Sequence, residues 1–73
     1  MKRSEVQSAI FDFLTSEEMT AQEILIAMQL PFTVVAVRYH LDTLVMNGKI
    51  KSITTSRVTA DGRNHKAVVY FKS

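Results

Sequence analysis

Apolar residues recur at helical spacing in three successive stretches, and the chain then turns to an alternating, β-branched pattern. Val6, Ala9, Ile10, Phe13 and Leu14 share one helical stripe and predict a first amphipathic helix over roughly residues 5–15. Ser4 and Gln7 stand at capping-box spacing at its start. Phe11 lies off the stripe, in position to pack against the C-terminal strands. Thr20 and Glu23 form a second capping box, with Met19 before it and Ile24 after it as a hydrophobic staple. Ile24, Leu25 and Met28 supply the buried face of this second helix, over roughly residues 20–29, because Pro31 disfavours helical geometry at Leu30. Thr33 is placed to cap a third helix, over roughly residues 34–47, in which Val34, Val37, Leu41, Leu44 and Val45 recur at spacings of three and four. Gly48 follows where a left-handed helix end needs it.

From Ile50 the residues become β-formers. Ile53, Thr54, Thr55, Val58 and Thr59 precede Asp61-Gly62, and Ala67-Val68-Val69-Tyr70-Phe71 follow it. An Asp-Gly pair between two such runs predicts a hairpin over about residues 50–72. A two-residue turn there sets Arg57 opposite Lys66, Thr55 opposite Val68 and Ile53 opposite Tyr70. The expected fold is α+β, three helices followed by a two-stranded hairpin, in a single domain over residues 1–73.

Composition narrows the functional classes. With 73 residues, 47% of them hydrophobic and 22% charged, the chain can form a small core and is not a disordered tail. It has no cysteine, which excludes disulfides and cysteine-ligated zinc. Its longest apolar run, Val34-Val35-Ala36-Val37, is too short for a membrane span, and the basic start Met1-Lys2-Arg3 leads into no apolar signal core. A cytoplasmic protein is expected. The net charge of +2 is unevenly spread. Residues 1–30 carry two cations (Lys2, Arg3) against five carboxylates, a net −3, whereas residues 31–73 carry seven cations against Asp42 and Asp61, a net +5. The C-terminal half is the half that can face a polyanion.

Helix, helix–turn–helix and hairpin is the chain order of the winged helix-turn-helix. Val37-Arg38-Tyr39-His40-Leu41-Asp42-Thr43-Leu44, followed by Val45-Met46-Asn47-Gly48-Lys49-Ile50, resembles the recognition helix of bacterial winged-helix repressors. The similarity is to the arsenic-repressor-like and multiple-antibiotic-resistance-repressor-like families, where a Val-x-x-x-Leu-x-x-Leu helix ends in Gly-x-Ile and runs into the wing. Leu30-Pro31-Phe32-Thr33 stands where those families often have Leu-Gly-Val-Ser, so Pro31 replaces the turn glycine. About two extra residues separate Glu23 from Thr33. In size the chain is similar to minimal regulators of fimbrial operons, phages and plasmids.

The resemblance implies a DNA-binding transcription regulator whose third helix enters the major groove and whose wing grips backbone or minor groove. Thr33, Val34, Val35, Arg38, Tyr39 and Asp42 then form the reading face. Arg38 is placed for a bidentate contact to guanine, and Val35 or Val34 for a thymine methyl. Arg57, Arg63, Asn64, His65 and Lys66 gather around the expected Asp-Gly tip as the wing contact. Thr20 and Gln22 open the second helix, whose N–H groups can meet a phosphate. Double-stranded DNA is the expected partner, with another regulator or polymerase beside it. A monomer in solution is expected, since no helix is spare for a dimer interface, with self-association on adjacent DNA sites left open.

A winged helix used as a protein-interaction module remains open, because exposed Val34, Val35 and Tyr39 suit a protein partner equally. Recognition of left-handed DNA fits Tyr39, but the hairpin lacks the prolines and tryptophan used for it, and no aromatic-stacking sheet signature points to RNA. His40 and Asp42 are two residues apart and share no helix face, so they make no metal clamp, and His40 is expected to pack between helices. No nucleophile setting or phosphate-cradling glycine loop is present, so neither catalysis nor a cofactor is expected.

Overall fold

In the computed structural model, which describes residues 2–72, six elements follow one another along the chain. They are α1 (Arg3–Phe13), β1 (Met19–Thr20), α2 (Ala21–Met28), α3 (Val34–Met46), β2 (Lys51–Val58) and β3 (Asn64–Phe71). The fold is α+β, with three helices and an antiparallel sheet, a layout compatible with a winged helix-turn-helix.

α1 starts two residues before the expected boundary, and Ser4 is not its cap. Lys2 takes that position, and its backbone N–H donates to the Glu5 carboxylate at 3.2 Å. The Ser4–Gln7 spacing therefore lies inside the helix. α2 begins as its sequence predicts: Glu23 N–H donates to Thr20 Oγ1 at 3.2 Å, and Thr20 N–H donates to Glu23 Oε1 at 2.8 Å. Gln29, φ +54°, closes it in a left-handed conformation. α3 starts at Thr33, whose hydroxyl accepts Ala36 N–H at 3.2 Å, and ends in a left-handed turn at Gly48, φ +73°.

The core follows the helical stripes except at Phe13, which the first stripe places inward and which is 37% exposed at the last residue of α1. Val6, Ile10 and Leu14 pack with Ala21 and Ile24 of α2, Val37, Leu41 and Leu44 of α3, and Ile50 and Tyr70 beyond. Each large apolar side chain buried this way contributes about 1.5–3 kcal/mol. Phe11 is half-buried at the C-terminal end of the sheet, where Lys72 Nζ sits 4.4 Å from the centre of its ring.

Two features of the sheet differ from the expected hairpin. First, it has three strands, in the order β1-β3-β2, because Met19 pairs with Tyr70 and Thr20 with Val69. Second, the hairpin register is displaced by one residue: Arg57 lies opposite His65, Thr55 opposite Ala67 and Ile53 opposite Val69. The cause is the turn. Gly62 N–H donates to Thr59 C=O at 2.9 Å, and Thr59 N–H donates to Arg63 C=O at 2.9 Å. The loop therefore holds Ala60, Asp61 and Gly62, with Gly62 in the left-handed region at φ +82°. This is a β-turn with one further left-handed residue in place of a two-residue turn. Because side chains alternate across a strand, the displacement changes which wing residues share a face.

Candidate functional site

The inward side of α3 is taken by Val37, Leu41 and Leu44, which turns the other faces of the helix toward its neighbours and solvent. One of those faces meets the sheet. Arg38 and Asp42 are one helical turn apart, and Asp42 Oδ1 accepts the Tyr70 hydroxyl of β3 at 2.8 Å. Tyr70 is 1% exposed, so its ring is core while its hydroxyl reaches the surface chemistry of α3. Burial and the Asp42 carboxylate push the phenol pKa up, against an opposing pull from Arg38.

Between the start of α3, the start of α2 and β3 lies an open groove of about 380 Å³. Thr20 lines it from β1, Gln22 from α2, Val34 and Arg38 from α3, and Lys66, Val68 and Tyr70 from β3. Two of the lining side chains are cations and none is a carboxylate. A second hollow of about 320 Å³, between α1 and the end of α3, is lined by both Asp12 and Lys49 and lacks that single sign. The groove thus unites five residues singled out in the sequence from three separate segments: Thr20, Gln22, Val34, Arg38 and Lys66.

The other α3 residues divide by face. Val35 is 77% exposed at the helix start. Tyr39 is exposed on the side of α1, where the Arg3 guanidinium lies 5.3 Å from its ring centre and Arg3 Nη1 donates to its hydroxyl at 3.4 Å. Thr33 serves as the cap, and its hydroxyl is already accepting. His40 packs between helices as expected, with Nδ1 3.2 Å from Gln7 Nε2; burial, then nearby Arg3, lowers its pKa.

The wing residues do not form the single cluster expected at the tip. Arg57 is drawn away: its guanidinium meets both Glu23 carboxylate oxygens at 3.0 Å and Glu18 C=O at 3.3 Å. It braces the wing against the start of α2 and shares a sheet face with His65. Lys66 points to the opposite face, with Val68 and Tyr70, toward α3. Asn64 and His65 are exposed near the tip. Arg63 is exposed, 3.7 Å from Asp61, whose carboxylate is held below its ordinary pKa by the Thr59 hydroxyl and then by Arg63 N–H.

Tyr70 and Glu23 are the positioning residues that sequence spacing does not expose. Their partners are 28 and 34 positions away, and only the strand register brings them together. Comparison with known protein families and with characterised proteins finds no match. No helix among the described residues is long and apolar enough to cross a membrane.

Proposed function

We propose that the chain is a sequence-specific regulator that binds double-stranded DNA, acting in the cytoplasm. In this reading α3 lies in the major groove, and one phosphate backbone passes along the groove between α3 and β3. The observation that carries it is the groove itself, lined by Arg38 and Lys66 and by no carboxylate, beside the first turn of α2. Two cations lining one channel with no carboxylate favour a phosphodiester. Arg38 reads a base edge, and Lys66 and Arg63 neutralise phosphates. Arg57 holds the wing in place, since its charge is already met by Glu23.

A titration against duplex DNA at several salt concentrations tests the proposal. Binding is expected to weaken with a log–log slope of about −4 to −5, as for roughly four to six neutralised phosphates. Arg38→Ala is expected to flatten preference at one base position, a loss of about 1–3 kcal/mol of discrimination. Arg63→Ala is expected to weaken all sequences alike and to reduce the slope by roughly 1. A slope near zero, or no binding at low salt, rejects DNA as the partner.

A second reading has an observation of its own. α3 carries a single arginine and a single aspartate, so its formal charge is zero, while Val35, Tyr39 and Met46 are 77%, 52% and 87% exposed. An apolar, neutral helix face suits a protein partner such as another regulator or a polymerase, and such an interface resists salt.

A further inference from the structure

We propose that Tyr70 is a positioning residue for Arg38: its hydroxyl, bonded to Asp42 Oδ1, anchors that carboxylate and competes with an Arg38 ion pair that would draw the guanidinium out of the groove. The proposal rests on the DNA-binding reading and adds a specificity determinant to the same site.

Arg38 and Asp42 stand four residues apart on α3, and side chains at that spacing are surface neighbours. Opposite charges so placed attract, yet among the described residues no ion pair joins them. Asp42 Oδ1 instead accepts the Tyr70 hydroxyl at 2.8 Å. A hydrogen bond to a carboxylate is stronger than one between neutral groups, so this donor competes effectively. The competition is also uneven in entropy. Tyr70 is fixed by the core at 1% exposure, so its hydroxyl is delivered without ordering a mobile side chain, whereas Arg38 is exposed and must be ordered to pair. A phenol that donates its one proton to Asp42 turns its lone pairs elsewhere. Arg38 lines the groove next to that hydroxyl and pulls on its titration. Arg38 thus lines the groove with no ion pair among the described residues, which leaves its charge available to a nucleic acid.

Removing the hydroxyl and keeping the ring reverses the arrangement. In Tyr70→Phe, Asp42 loses its donor and Arg38 is the cation within reach. The readout is the ratio of affinities for a selected site and scrambled DNA at fixed salt, because a change in net charge largely cancels in a ratio. Tyr70→Phe is expected to lower that ratio roughly fivefold or more, the lower range for one bidentate base contact. Tyr70→Phe combined with Asp42→Asn leaves Arg38 no carboxylate to pair with, and the ratio is expected to return to within about twofold of the parent. Asp42→Glu makes the same test without touching the core, since its longer carboxylate reaches past the phenol toward Arg38, and the ratio is again expected to fall.

An unchanged ratio in Tyr70→Phe or Asp42→Glu, or a double variant that stays low, overturns the proposal. A measurement without DNA separates this failure from failure of the DNA reading. Rotation of the Arg38 guanidinium, followed by nitrogen-15 NMR, is expected to slow in Tyr70→Phe and to recover in the double variant. If the parent binds no duplex while this slowing is seen, the DNA reading fails and the side-chain competition stands. If rotation is equally fast in all three proteins, the competition itself is refuted.

Discussion

The ends of α2 and α3 use one backbone solution with two different residues. At the end of α2, Gln29 N–H donates to Ile26 C=O at 3.2 Å and Leu30 N–H to Leu25 C=O at 3.1 Å. At the end of α3, Gly48 N–H donates to Val45 C=O at 2.9 Å and Lys49 N–H to Leu44 C=O at 3.0 Å. Each pair closes its helix through one left-handed residue. Glycine adopts that conformation freely, while a side chain there costs about 1–2 kcal/mol. What differs is the next residue. Leu30 and Leu25 both pack on the core, and Lys49 is exposed. Burial of Leu30 against the core just past the closing turn offsets the strain at Gln29, and with an exposed lysine in that place the α3 end depends on glycine. The first turn sets how α3 leaves α2, and the second sets how the sheet leaves α3, so the two together place Arg38 relative to Lys66.

Exchanging the residue types breaks this comparison most severely at Gly48. A Cβ there would meet no atom within 4 Å, so the cost of Gly48→Val is purely conformational. It is expected to exceed about 1 kcal/mol, since a β-branched residue resists positive φ most. In a domain of this size that lowers the midpoint of thermal unfolding by at least about 4 °C. An unchanged midpoint would mean that the α3 end does not need its left-handed residue.

The reverse exchange, Gln29→Gly, is a smaller step upward. It relieves about 1–2 kcal/mol of left-handed strain, but the freer unfolded chain returns about 0.4–1 kcal/mol of that. A net gain near 0.5 kcal/mol is expected, read as a higher denaturant midpoint with an unchanged slope. A loss of stability would show that the Gln29 side chain contributes more than its backbone costs.

These two positions also mark how far the sequence could be read. Gly48 declares itself, because glycine after a periodic helix has a conformational meaning. At Gln29 only the helix end was legible, through Pro31; nothing in a glutamine announces a left-handed backbone. The three helical stripes predicted most of the core, since burial follows periodicity, but Phe13 is exposed at the end of α1 while Phe11, off the stripe, packs against the core. β1 stayed hidden because Met19 and Thr20 also make sense as a staple and a cap, and Thr20 does both jobs. The register slipped because Asp61-Gly62 reads as a two-residue turn, and only the Thr59 hydrogen bonds reveal the third loop residue. In the candidate site, Arg38 and Lys66 were visible as exposed cations. The bonds that occupy Arg57 and Asp42 span the chain and have no local signature.

The starts of the same two helices sharpen the contrast with the smallest expected effect. α3 is capped by Thr33 alone, while α2 adds the Glu23 carboxylate, which accepts from Thr20 N–H and holds Arg57. The Thr20 N–H, foremost, and the Arg57 charge hold the Glu23 pKa below its ordinary value of 4.5. A carboxyl whose pKa is lower folded than unfolded stabilises the fold above its unfolded pKa. That contribution disappears as pH falls through the folded value. Acidification from just above pH 4.5 should therefore loosen the start of α2 and the wing brace together, and leave the start of α3 unaffected. The Glu23 side chain is 46% exposed, so solvent screening keeps the effect to about 0.5 kcal/mol or less. Amide exchange at pH 6 and below pH 4 can compare Glu23 N–H with Ala36 N–H, each bonded to a threonine cap. The expected result is a selective loss of protection at Glu23 that Glu23→Gln abolishes by removing the titration. Equal loss at both amides would mean that acid acts on the whole domain and that the two helix starts are equivalent.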